Sequence, residues 1–167
     1  ELEMEMITII DYGIGNLRSI EKAFETVGAS VHRTDDPEDV TTAEKLVLPG
    51  VGAFRACIDE IRNRSLEAPI LDAIDRGTPF LGVCVGMQLL FERGYEKGEH
   101  EGLGVLPGHV AHFRETKAEM PDGLSVPHMG WNTIEPTREN PLLADLGENP
   151  YVYFVHSYHA VAEETQD

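Results

Sequence analysis

Cysteine is scarce: the 167 residues hold only Cys57 and Cys84, with no Cys-x-x-Cys pair. That excludes a disulfide framework and a cysteine zinc site, and it fits a reducing cytoplasm. Lysine is also scarce. Four lysines (22, 45, 97 and 117) and nine arginines face 30 acidic residues, leaving a net charge of −17. So acidic a chain repels phosphate backbones, and nucleic acid is not an expected partner. The same balance suits high salt, because a surface of one sign repels itself unless it is screened. No apolar run approaches the length of a spanning helix, so no membrane role is expected. No secretory signal stands at the start. There is no internal repeat and no linker long enough to split the chain, which predicts a single domain over residues 1–167. Residue 1 is glutamate, and Glu1-Leu2-Glu3-Met4-Glu5 reads as a tag remnant or a trimmed end.

What is present centres on Pro79-Phe80-Leu81-Gly82-Val83-Cys84-Val85-Gly86-Met87-Gln88-Leu89-Leu90-Phe91. It starts as a short apolar run and ends in a helical pattern, with Met87, Leu90 and Phe91 on one face. Two glycines flanking a cysteine at a strand-to-helix junction spell a nucleophile elbow. The turn leaves no room for side chains beside the nucleophile. Cys84 then heads a helix, where free N–H groups and the helix dipole favour a thiolate. The Val85 N–H points toward a developing oxyanion. A lone cysteine is ordinarily a buried one, but the glycine pair reverses that expectation and makes Cys84 the candidate nucleophile.

The elements around it alternate. Met6 to Asp11 predicts a buried first strand. Tyr12 to Asn16 is a loop with Asn16 as N-cap, and Leu17, Ile20, Ala23, Phe24 and Val27 follow at helical spacing up to Gly28. Gly13-x-Gly15 is only a fragment of a dinucleotide fingerprint, since position 18 is Arg, so a tight turn is the better account. Ser30 to Thr34 and Lys45 to Leu48 predict two more strands. Asp35 to Asp39 reads as a charged surface turn. Pro49-Gly50-Val51-Gly52 sits at the carboxyl end of a strand, where open α/β sheets bind ligands, and can supply a second oxyanion donor. Arg55–Asn63 and Leu66–Arg76 predict helices, with Pro69 early in the second and Cys57 a structural thiol in the first. Glu92 to Gly98 reads as a polar loop. His109–Phe113 and Val126–Met129 predict short antiparallel strands, Gly130 to Thr133 a turn carrying the only tryptophan, and Tyr151–His156 the last long strand. Trp131 is either core or an interface anchor. The pattern as a whole predicts a three-layer αβα, open, mostly parallel sheet of flavodoxin-like type.

A cysteine nucleophile wants a general base, usually histidine. Seven are present (32, 100, 109, 112, 128, 156 and 159), none with a local signature, so the base stays unassigned. His156 and His159 face opposite sides of a strand and make a poor metal pair.

Five stretches together resemble class I glutamine amidotransferases: Ile9 to Ser19, Leu48 to Phe54, Gly82 to Leu90, His128 to Asn132 and Phe154 to His159. Within that family they look most like the glutaminase subunit of imidazole glycerol phosphate synthase, over residues 6 to about 161. The resemblance implies that Cys84 attacks the side-chain amide of glutamine, releases ammonia and leaves a γ-glutamyl thioester for water to hydrolyse. It implies an oxyanion hole from Val51, Gly52 and Val85, and glutamine contacts from Gln88, Glu96, Ser157 and Tyr158. It implies no cofactor and no metal. The implied partner is a (β/α)8 cyclase of histidine biosynthesis, which takes the ammonia and forms a heterodimer in which Trp131 lies at the interface and the cyclase's substrate activates the glutaminase. The sequence departs from the family at one point. The catalytic His and Glu belong to a His-Pro-Glu motif, which occurs nowhere in these residues, so the chain reads as lacking its C-terminal segment and as a poor glutaminase without general acid–base help. Two other readings stand beside it: a catalytically incomplete binding protein with the same fold, and another elbow-cysteine hydrolase, such as a peptidase or small-aldehyde hydrolase. Gln88 and the Pro49–Gly52 loop favour an amino-acid amide over the last of these.

Overall fold

The computed structural model describes residues 6–116, 125–139 and 141–163; the tag-like residues 1–5 lie outside them. Two compact units emerge, one of residues 1–111 and 160–167 and the other of residues 112–159.

The first unit is built on a parallel sheet. Its strands are β1 (Met6–Ile10), β2 (Ser30–Thr34), β3 (Leu46–Leu48) and β4 (Phe80–Gly82), in the order β2-β1-β3-β4. β1 pairs with β2 and β3, and β3 with β4, all parallel. Thr8 to Ile10 and all of β3 are buried, as the apolar runs require for strands covered on both faces. Between them run α1 (Leu17–Thr26), α2 (Pro37–Thr42), α3 (Phe54–Asn63) and α4 (Glu67–Asp75). Cys57, Ile58 and Ile61 of α3 and Ile70 and Ala73 of α4 are sealed from solvent.

Three local expectations change here. Asn16 occupies the N-cap of α1, but its side chain makes no capping hydrogen bond. The Asp35–Asp39 stretch is not only a turn. Asp36 accepts the Glu38 N–H at 2.8 Å and Pro37 opens α2, which is N-cap and N1 chemistry the charge run conceals. The helix after Cys84 is the largest change: α5 spans only Val85–Gln88. The Leu103 N–H takes the Leu89 carbonyl, and the Val105 and Leu106 N–H groups take that of Leu90. With those acceptors claimed by a distant segment, the helix stops after one turn, and Phe91 begins a strand instead of lying on a helix face.

That strand is β5 (Phe91–Gly94), where a polar loop was expected; β6 (His100–Glu101) follows it. β7 (Leu106–His112) pairs with β5 in parallel, not antiparallel as anticipated. The second sheet has the order β10-β7-β5-β6, and β10 (Tyr158–Ala162) joins it through its C-terminal residues, with the Glu163 N–H on the Pro107 carbonyl at 3.2 Å.

The second unit is organised by an antiparallel pair, β8 (His128–Thr133) and β9 (Tyr151–His156), in the register His128↔His156, Met129↔Val155, Trp131↔Tyr153 and Thr133↔Tyr151. The antiparallel expectation holds for β8, but Gly130 to Thr133 continue the strand and do not turn.

Candidate active site

Cys84 is exposed and sits at φ 56°, ψ −121°, a conformation that costs a non-glycine residue about 1–3 kcal/mol and persists only where packing imposes it. The packing is visible. A Cβ on Gly82 would lie 2.6 Å from the Met87 Cα, and one on Gly86 would run into the Leu48 carbonyl. β4 and α5 therefore fold back on each other with only backbone at the crossing, and Cys84 is pushed outward at the apex. One turn of helix generates little macrodipole, so its contribution at Cys84 reduces to the local N–H groups of the first turn. The Val85 N–H is the first of these, and Val85 itself is buried.

The Pro49–Gly52 loop lies against this elbow. A Cβ on Gly50 would sit 2.6 Å from the Gly86 nitrogen and 3.0 Å from the Val85 carbonyl carbon. The sequence suggests that these glycines admit a ligand; at Gly50 the close approach is instead to the protein's own backbone. Gly52 has φ +81° and open space around it, and Val51 is exposed and shares a cavity with Cys84. A cavity of about 270 Å³ brings together Cys84, Val83, Gly50 and Val51 with Asn16, Ser19, Ile20 and Ala23 of the α1 end. Its lining contains no histidine.

Two residues to which the sequence gives no role at this site hold the loop from below. Tyr12 is fully buried, and its hydroxyl donates to the Pro49 carbonyl at 2.6 Å. Cys57 is also sealed, and its thiol reaches the Val51 carbonyl at 3.4 Å. Burial pushes the Tyr12 phenol far above its usual range, with Cys57 and Cys84 adding to the shift. Burial raises the Cys57 thiol as well, and the nearby Cys84 and Glu96 act in the same direction, against hydrogen bonds to Tyr12 and Val51. Cys57 is thus an inert, protonated donor, as expected of a structural thiol. Only distance in sequence hides this pair: Tyr12 reads as a loop residue because its partner is 37 positions away.

The remaining candidates divide. Gln88 is half-buried, and its N–H reaches the Cys84 carbonyl at 3.3 Å, which sets the two residues one turn apart. The Glu96 carboxylate accepts the Phe54 N–H at 2.9 Å and so caps α3, whose N-cap Ala53 has no side-chain acceptor. It lines a different cavity, of about 350 Å³, with Arg55, Asp59, Lys97 and His100. Ser157 and Tyr158 belong to the second unit. There the Ser157 carbonyl accepts the Phe113 N–H at 3.1 Å, and the Tyr158 ring meets His112 edge-on at 5.1 Å. Trp131 is 70% exposed, which removes it from the core. It stands in a row with Met129, Tyr151, Tyr153 and Val155, all large, exposed and on one face of the β8–β9 pair.

Comparison with known proteins shows the family. The family model "Glutamine amidotransferase class-I" matches residues 8–167. A Salinibacter ruber protein named "Imidazole glycerol phosphate synthase subunit HisH" is 82% identical over 162 residues, 97% of this chain and 74% of its own length. A protein of the same name from Syntrophotalea carbinolica is 52% identical over 159 residues, 95% of this chain and 77% of its own. Among solved structures, one described as "Crystal structure of glutamine amidotransferase" has a TM-score of 0.66 at 19% identity, over 89% of this chain and 70% of that one. "Structure of PurLQS from Thermotoga maritima" also gives 0.66 at 19% identity, over 96% and 71%. At that identity the structural likeness concerns the fold alone, which is the α/β architecture the strand pattern predicts.

Proposed function

The chain belongs to the class I glutamine amidotransferase family, and on that premise we propose how its residues divide the work of the glutaminase subunit of imidazole glycerol phosphate synthase. The activity is that of a glutamine amidotransferase in histidine biosynthesis. The Cys84 thiolate attacks the δ-carbon of the glutamine side chain, and the C=O electron pair moves to oxygen. The N–H groups of Val51, Gly52 and Val85 receive that oxyanion. When it collapses, the carbon–nitrogen bond breaks, water gives a proton to the nitrogen and ammonia leaves. The hydroxide left behind attacks the γ-glutamyl thioester, the carbon–sulfur bond breaks, and glutamate and the Cys84 thiolate are released. By the resemblance, Gln88, Glu96, Ser157 and Tyr158 serve the amino-acid end of the substrate, Glu96 with the carboxylate that caps α3 in the free chain. No metal or cofactor enters the scheme.

One observation carries this reading: a cysteine held at φ 56° between two glycines that admit no side chain, with the Pro49–Gly52 loop packed against the turn. Tyr12 and Cys57 support that loop through the Pro49 and Val51 carbonyls, so its donors stay aimed without reorganisation during the reaction.

The partner is a (β/α)8 cyclase, joined as a heterodimer, and it docks on the exposed row around Trp131. Such a patch is larger than scattered surface apolars, and its aromatics are the residue types that anchor interfaces. The setting is the cytoplasm, where a nucleophilic thiol stays reduced. Cys84→Ala tests the assignment. Ammonia release from glutamine falls by at least about a thousandfold while affinity for the cyclase is kept. Surviving ammonia release overturns the nucleophile.

A further inference from the structure

The second unit contains a hydrogen-bonded chain to which neither the resemblance nor the chemistry at Cys84 gives a role. His128 and His156 are cross-strand partners at the end of the β8–β9 pair. The His128 Nδ1 lies 3.1 Å from the His156 Nε2, and the His156 Nδ1 lies 2.8 Å from the Tyr158 carbonyl oxygen. A carbonyl oxygen only accepts, so His156 carries its proton on Nδ1. In the neutral ring Nε2 is then an acceptor, and the His128 Nδ1 must donate to it. One sequence of donors thus runs from His128 through His156 to the Tyr158 carbonyl.

Aromatic rings flank it. Both imidazoles are half-buried among aromatic rings. His128 stacks on Phe154 at 4.5 Å, His156 meets Phe113 edge-on at 5.0 Å, and Phe154 lies 5.6 Å from His156. The second bond spans Ser157, the single bend between β9 and β10. On the other side of that bend, the Ser157 carbonyl is held by the Phe113 N–H at 3.1 Å. The bend is therefore pinned twice. One pin is backbone, and the other is an imidazole whose own orientation is set by the neighbouring strand.

We propose that His128 and His156 are positioning residues that fix the Ser157–Tyr158 bend in the conformation that contacts glutamine. The inference rests on the reading of Ser157 and Tyr158 as substrate contacts. The latch works through the bend, so it acts on substrate affinity and leaves the chemical step alone. The same pair ties the bend to β8, the strand that carries Trp131, so the docking face and the glutamine contact share one anchor.

The test uses the full-length subunit in complex with the cyclase. With His156→Ala, the KM for glutamine rises about fivefold to tenfold, the worth of one net hydrogen bond, and kcat stays within about twofold. His128→Ala gives a similar rise. His128→Asn, whose amide N–H occupies the place of Nδ1–H, restores KM to near the native value. In nitrogen-resolved NMR of the native protein, two imidazole N–H protons are protected from exchange, and both are lost in His156→Ala. Unprotected ring protons overturn the latch directly. A kcat that falls together with KM, or a failure of His128→Asn to rescue, reduces the pair to a folding role and overturns the proposal. Unchanged KM in His156→Ala, with KM raised by Tyr158→Ala, overturns the latch and leaves the substrate contact standing. Unchanged KM in both removes the substrate contact, and the latch falls with it.

Discussion

The elbow around Cys84 and the strand pair around Trp131 are built on opposite terms. At the elbow the backbone is crowded until only glycine fits at 82 and 86, a non-glycine residue is forced to positive φ, and the neighbouring loop is held by buried donors. At the strand pair two strands meet in a continuous antiparallel register, and the face that carries Met129, Trp131, Tyr153 and Val155 is more than half exposed at every one of those positions. A reacting carbon must meet its donors within a few tenths of an ångström, and that requires strain held by a dense surround. A docking face needs area and aromatic anchors, and it finds its dense surround only when the partner arrives.

The comparison can be broken at four places. The largest effect is at the nucleophile, where Cys84→Ala removes turnover and leaves partner binding intact. Gly86→Ala comes next. Its Cβ has nowhere to go but into the Leu48 carbonyl, so the elbow must open, at a cost of about 3 kcal/mol in denaturant unfolding. An unchanged midpoint would mean the crossing is looser than the geometry says. Trp131→Ala carries the complementary expectation: it weakens cyclase binding by about thirtyfold, or roughly 2 kcal/mol, and leaves the unfolding midpoint of the free subunit within about a degree. Equal affinity would remove Trp131 from the docking face. The smallest effect is Tyr12→Phe, which strands the buried Pro49 carbonyl and lowers the melting temperature by about 4 °C, for about 1.5 kcal/mol. It also lowers kcat more than it raises KM, because the loop it supports acts on the oxyanion. A shift in KM alone would assign Tyr12 to substrate binding.

Much of the first unit is legible without coordinates. β1 and β3 fall where continuous apolar runs put them, because a buried parallel strand leaves little freedom in composition. The elbow is legible for a related reason: glycine flanking a nucleophile is a steric demand, and steric demands are written in single residues. The short α5 is not legible. Leu89 to Phe91 have helical spacing, yet their carbonyls are taken by residues 102–106, and no local pattern reveals that competition. Trp131 shows the same limit. Its neighbourhood reads as a turn, and only the pairing with Tyr153 turns it outward along a strand.

Glu96 marks the boundary most sharply. The resemblance makes it a substrate contact, whereas the folded chain shows its carboxylate on the first amide of α3. A carboxylate serves either purpose with the same atoms, so its identity alone does not choose. The sequence by itself determined the glycine-flanked elbow, the buried parallel strands and the family, since each rests on residues that tolerate few substitutes at their spacing. Only the tertiary structure decided which carbonyls Tyr12 and Cys57 hold, where α5 ends and how His128 meets His156. Tyr12 and Pro49 stand 37 positions apart and His128 and His156 stand 28 apart, and the energy of such contacts comes from burial and hydrogen bonding that exist only once both partners are in place.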